Sequence, residues 1–140
     1  MGVPKELKNQ EYRVGLTPHS IQVLSDQGHQ VFFESSLGSA IGYSDEDYVS
    51  AGGILSSSAE EVYAQGDLII KVKEPLESEL HQIKEHHTLF TFFHLAGNPS
   101  GVSNLLNTGS RGIAYETVTN EQGGLPLLAP MSAIAGQISL

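Results

Sequence analysis

An α/β fold, a parallel sheet with helices on both faces, is what this 140-residue sequence predicts. Three observations carry that expectation. Short apolar runs alternate with helix-length amphipathic segments, the rhythm of repeated strand–helix–strand units. The run Leu68-Ile69-Ile70-Lys71-Val72-Lys73-Glu74-Pro75 is apolar without alternation until it meets a turn signal, which reads as a strand covered on both faces. Helix-start residues sit between the runs, where crossover helices must begin.

Taken in order, Thr17-Pro18 opens the first helix, with Thr17 as N-cap and Pro18 at the first helical position. Ile21 and Leu24 give it an inward stripe, and Gly28 stops it. Gln30 to Glu34 is a strand. Ser44 caps a short helix from Asp45 to Ala51, whose first-turn carboxylates suit the positive end of the helix dipole. Ser58-Ala59-Glu60-Glu61 has capping-box spacing and starts a helix that stops near Gly66. The Leu68 strand follows, then a helix from Ser78 to Lys84 and a strand from Leu89 to Phe93. Asn98-Pro99 begins a helix running through Leu105 and Leu106 to Gly109. A last strand, Gly112 to Glu116, leads into a loop around Gly123-Gly124. From Pro130 the chain reads as a helix with Met131, Ile134, Ala135 and Ile138 on one apolar face. It reaches Leu140 without a C-cap, which reads as a chain cut off; a short terminal helix docked on the domain is the competing reading.

Composition narrows the function classes. A formal net charge of −9 argues against nucleic acid or an anionic membrane as partner. With no cysteine there is no thiol nucleophile, disulfide or thiolate metal site. No window approaches 18 apolar residues and no signal-peptide core is present, so a cytoplasmic protein is expected. Neither a Gly-x-Gly-x-x-Gly fingerprint nor a phosphate-binding loop occurs.

Three residues point to a site at the carboxyl edge of the sheet, where open α/β sheets take their ligands. Lys73 ends the Leu68 strand. Together with Lys71 it spends two of only seven Lys and Arg there, which favours an anionic ligand; solvated lysines are the bland alternative. His94 directly follows a strand, and imidazole can exchange a proton with a bound substrate near neutral pH. A structural histidine bonded to a loop would look the same. Arg13 follows the first strand by a short loop and can hold a carboxylate bidentately, against a surface ion pair as the competing reading. Together they describe a site for a small α-keto or α-amino acid. Glu116 ends the last strand and could reach the same rim, although structural pairing suits it better. His19, His29, His81, His86 and His87 lack metal-ligand spacing, so no metal site is expected.

Six ordered blocks carry a family resemblance: Gly2 to Glu6, Glu11 to Val14, Lys71 to Pro75, Leu89 to Ala96, Ala114 to Val118, and Leu125 to Ser132. They resemble the N-terminal part of the bacterial NAD-dependent L-alanine dehydrogenase family over the whole chain. The resemblance implies a flavodoxin-like or Rossmann-like substrate domain, incomplete at its C-terminus. Residues 1–128 would belong to that domain, and residues 129–140 would start a connecting helix toward an absent NAD-binding domain. It implies a hexameric enzyme interconverting L-alanine and pyruvate. Arg13 and Lys73 would hold the substrate carboxylate and keto oxygen, His94 would be the general acid/base, Met131 would approach the cleft, and Tyr115 and Glu116 would line its edge. NAD would be bound by the absent domain, with no cofactor-binding residue in this chain. Gly97 departs from the family, which usually has a second alanine there, and a proline follows. Two other readings stand beside this one. One is the NAD-binding subunit of proton-translocating transhydrogenase; the other is a non-catalytic module that binds pyruvate or alanine, or takes part in oligomer contacts.

Overall fold

The computed structural model describes residues 1–97 and 99–138. Six strands form one all-parallel sheet: β1 (Gly2–Val3), β2 (Phe32–Glu34), β3 (Ile54–Ser56), β4 (Leu68–Lys73), β5 (Thr88–Phe92) and β6 (Arg111–Ala114). Their order across the sheet is β3-β2-β1-β4-β5-β6. This is the Rossmann order rather than the flavodoxin one, and it reverses direction between β1 and β4, the switch point where a ligand crevice opens.

Helices α1 (Pro18–Asp26), α2 (Asp45–Ser50), α3 (Ala59–Gln65), α4 (Pro99–Leu106) and α5 (Ala129–Ile138) complete the architecture. Thr17 Oγ1 accepts from the Ser20 amide, and Pro18 takes the first turn of α1. The helix ends as a Schellman motif: His29 N–H reaches Leu24 O, Gly28 N–H reaches Ser25 O, and Gly28 adopts φ +87°. Ser44 and Asp47 form a reciprocal capping box on α2. At α3 the box is only half made. Ser58 Oγ accepts from Glu61 N–H, but the Glu61 carboxylate accepts from Ser57 rather than Ser58.

Strand register sorts the core onto two faces. Val3 pairs with Phe33, and with Ile21, Val31 and Tyr48 they form a cluster beneath α1 and α2. Gly2 pairs with Ile69 and Ile69 with Leu89, on the opposite face, where Tyr63, Ile83 and Phe93 complete a second cluster. Helices therefore cover both faces, as the sequence predicts.

Several local expectations are corrected. Strand β3 has no counterpart in the sequence reading; it is a three-residue edge strand with Leu55 47% exposed, too short and too exposed to leave an alternating signal. The segment expected as a helix over Ser78 to Lys84 is a 3-10 turn at Glu77–Gln82, and the last strand stops at Ala114 because Tyr115–Thr117 forms another 3-10 turn. Asn98, Ser139 and Leu140 lie outside the described residues. Lys71 does not reach the rim. It is 1% exposed, with Nζ 2.8 Å from Glu79 Oε1 and 3.5 Å from Glu6 Oε2. Its neighbour Lys73 escapes that fate because the β4–β5 register slips between Ile70 and Lys73, which sets Lys73 opposite Phe92. An unbroken strand would keep both lysines on one face; the extra residue re-aims the second.

Candidate functional site

At the carboxyl edge, the segment between β1 and α1 folds back against β4. Gly15 makes this possible, because a Cβ there would lie 2.6 Å from Ile70 O. The Glu6 carboxylate accepts from Val72 N–H at 2.6 Å and from Lys73 N–H at 3.4 Å, tying the segment to the end of β4. Burial pushes the Glu6 carboxyl up, opposed by the Lys71 charge. Lys8 Nζ meets Glu74 Oε1.

Arg13 makes a two-armed bond to Glu11, Nε to Oε1 at 2.7 Å and Nη2 to Oε2 at 2.5 Å. This pairing holds the Glu11 carboxyl below its ordinary range, with the Lys73 charge adding to the effect. The third guanidinium edge, Nη1, points to Met131 Sδ at 3.0 Å. A thioether is a weak acceptor, so this edge is the one an anionic oxygen could take over.

Arg13 and Met131 border a cavity of about 510 Å3, walled by Val14, Val72, Phe90, Phe92 and Tyr115. Tyr115 stands edge-on to Phe90 at 4.2 Å and to Phe92 at 5.0 Å between ring centroids. Burial, with a contribution from the Glu6 charge, pushes its phenol up to about 12, so it remains a proton-bearing donor at neutral pH. The structure thus brings Arg13, Tyr115 and Met131 to one cavity. Lys73 is paired with the cavity residue Phe92.

His94 sits one residue beyond Phe93 at the end of β5, exposed, in the left-handed region at φ +49°. Its imidazole stacks on Phe92 at 6.1 Å and 23°. Its amide donates to Glu116 Oε1 at 2.9 Å. On Glu74, burial pushes the carboxyl up, but the Lys8 bond, a main-chain hydrogen bond and the Lys8 and His94 charges together hold it below its ordinary value. Glu116 is held by main-chain amides rather than facing the cavity. Sequence reasoning missed the roles of Glu6 and Glu74, and it held the Glu11 pairing of Arg13 only as a competing surface ion pair.

No group of three or more His, Cys, Asp or Glu that could hold a metal occurs among the described residues. A dinucleotide does not fit this domain's own first strand–helix turn. That turn is 14 residues long, residues 4–17, and Thr17 Oγ1 together with Pro18 already occupies the amide end of α1 where a pyrophosphate would bind.

Fold and geometry define a doubly wound α/β domain whose carboxyl edge carries Arg13, Lys73 and His94. Residues 2–135 match the family model described as the alanine dehydrogenase/PNT N-terminal domain, and the chain belongs to that family. It is 42% identical over 139 residues to an alanine dehydrogenase of Mycolicibacterium smegmatis, covering 99% of this chain and 38% of the relative. Against an alanine dehydrogenase of Methanococcus maripaludis the identity is 46% over 140 residues, covering 100% and 38%. A solved L-alanine dehydrogenase superposes with a TM-score of 0.93 at 46% identity, over 99% of this chain and 38% of that one. A transhydrogenase from Sinorhizobium meliloti, with a TM-score of 0.79 at 23% identity, over 86% of this chain and 34% of that one, shares the fold. The chain spans 38% of the length of the curated relatives it matches. Among the described residues no helix is long and apolar enough to cross a membrane.

Proposed function

We propose that this chain is the N-terminal part of the substrate domain of an NAD-dependent L-alanine dehydrogenase, with residues 129–140 beginning the connection to a dinucleotide domain. The protein works in the cytoplasm as a homo-oligomer, a hexamer by family resemblance. The reaction converts L-alanine, NAD and water to pyruvate, ammonium, NADH and a proton, and runs in reverse.

One arrangement carries the reading: Arg13 and Met131 border one cavity, and Lys73 at the end of β4 and His94, two residues past β5, both meet the cavity residue Phe92, one by strand pairing and one by ring stacking. Arg13 takes the substrate carboxylate on the guanidinium edge that Met131 now faces, which fixes both charge and orientation. Lys73 polarises the keto oxygen with its ammonium. His94 moves protons to and from the carbinolamine as ammonia adds or water leaves. The apolar wall of Val72, Phe90 and Phe92 accepts a methyl-sized side chain and limits water at the reacting carbon. Hydride chemistry would be supplied by the nicotinamide of NAD.

The test measures NADH formation from L-alanine and NADH consumption with pyruvate and ammonium, using the natural protein after its intact mass has been determined. Turnover that disappears in His94→Gln supports the assignment. A natural protein that neither turns over nor binds pyruvate overturns it.

A further inference from the structure

The geometry points to Glu116 as a positioning residue for His94, holding the imidazole in its working direction through the main chain; this rests on the proton-transfer role of His94 proposed above. In a regular strand, consecutive amides point to opposite sides. At the end of β5 they converge: Phe93 N–H lies 3.1 Å from Glu116 Oε1 and 3.3 Å from Oε2, and His94 N–H lies 2.9 Å from Oε1. The carboxylate takes up both amides just where the chain turns, at His94 itself, into the left-handed region at φ +49°. A side chain with a Cβ disfavours that region, so His94 needs a partner that rewards it. The Glu116 carboxylate is that partner.

The anchor comes from the next strand. Glu116 lies on the 3-10 turn Tyr115–Thr117 that ends β6. Its neighbour Tyr115 packs edge-on against Phe92, and Phe92 stacks on the imidazole. Two consecutive residues therefore hold His94, one through its amide and one through the ring beneath it. The same device recurs one strand over, where Glu6 accepts the amides of Val72 and Lys73. Each proposed reacting side chain is thus the second residue of an amide pair held by a carboxylate from elsewhere in the chain.

Glu116→Gln keeps the size but turns one acceptor into an NH2 group facing an amide donor. In the full natural protein it is expected to lower kcat by about 10- to 100-fold, the scale of a misplaced reacting group. KM for pyruvate should change by less than about 3-fold, because Arg13 still holds the carboxylate. Glu116→Asp, which keeps the charge on a shorter arm, should recover part of kcat. Wild-type kcat in E116Q, or an equal loss in E116D and E116Q, would overturn the role. If the wild-type protein does not oxidise alanine, the functional reading fails instead, and crystal structures decide the clamp. A relaxed negative φ at His94 in E116Q supports it, and an unchanged His94 backbone overturns it. Should E116Q fail to fold, E116D carries the same comparison.

Discussion

Lys71 and Glu79 meet inside the domain at 2.8 Å, each side chain 2% exposed, and the Tyr63 hydroxyl donates to the same carboxylate oxygen at 3.2 Å. Glu79 also uses its second oxygen to accept from Leu76 N–H, so one carboxylate caps the Glu77–Gln82 turn and neutralises a buried ammonium. The network explains why two lysines two residues apart differ so much: Lys71 is buried in ion pairs, whereas Lys73 at the end of β4 stays partly exposed.

Removing one partner of such a pair leaves charge stranded in the core. Lys71→Met is expected to cost about 3–5 kcal/mol at pH 7, read from urea unfolding. Burial already raises the Glu6 carboxyl, and Lys71 is what opposes it. Without Lys71 the folded-state pKa climbs further above the unfolded value, so the deficit is present at neutral pH. It should shrink as pH falls toward the unfolded carboxylate range. A loss below about 1 kcal/mol at pH 7 would show that water reaches the network.

His87 supplies a second pH dependence. It is 1% exposed, its Nδ1 accepts from Lys84 N–H at 2.9 Å, and Nε2 donates to Tyr63 O at 2.9 Å. Burial pushes its pKa below the ordinary value, and protonating Nδ1 would remove the Lys84 bond. A depressed folded pKa means the unfolded chain binds the proton first, so stability is full above about pH 6.5 and falls as pH drops through and below it. Urea midpoints at pH 7.5 and pH 5.5 should differ more in the wild-type protein than in His87→Gln. Equal differences would assign the acid sensitivity to other groups.

Arg13→Met should weaken pyruvate binding by about 10- to 100-fold, the loss expected of a charged hydrogen-bonding partner. Arg13→Lys should recover only a fraction, since a point charge lacks the planar fork. Isothermal titration of the natural protein reads both. Unchanged affinity in Arg13→Met would place the anion elsewhere.

Gly15→Ala tests the fold-back that brings Arg13 to the cavity. The added Cβ meets a strand carbonyl that cannot swing away, so about 1–3 kcal/mol of stability should be lost. Pyruvate affinity should fall with it. Thermal unfolding and titration on one sample separate a stability loss with intact binding, which would mean that the segment reseats without disturbing Arg13.

Much of this architecture was legible because local chemistry and global order agree. Thr17-Pro18, Ser44 with Asp47, and the apolar β4 run each state their element within a few residues. What escaped depends on distance. Glu79 finds Lys71 across eight positions and Glu6 finds Val72 across 66, which no local pattern encodes. The slip between Ile70 and Lys73 is a relation between two strands, so the sequence of either one is silent about it. Arg13, Lys73 and His94 were readable as polar residues from loops or strand ends on the carboxyl edge. The Glu11 pairing of Arg13 was readable only as the competing reading of a surface ion pair.

Arg13 and Met131 touch across 118 positions of chain. At about 5–20 residues per second, a ribosome needs roughly 6–24 seconds to make the second after the first. During that interval β1, β2 and β4 can pair while the cavity has no Met131 to close it. The part of the cavity wall that Met131 supplies therefore exists only on chains synthesised past the start of α5.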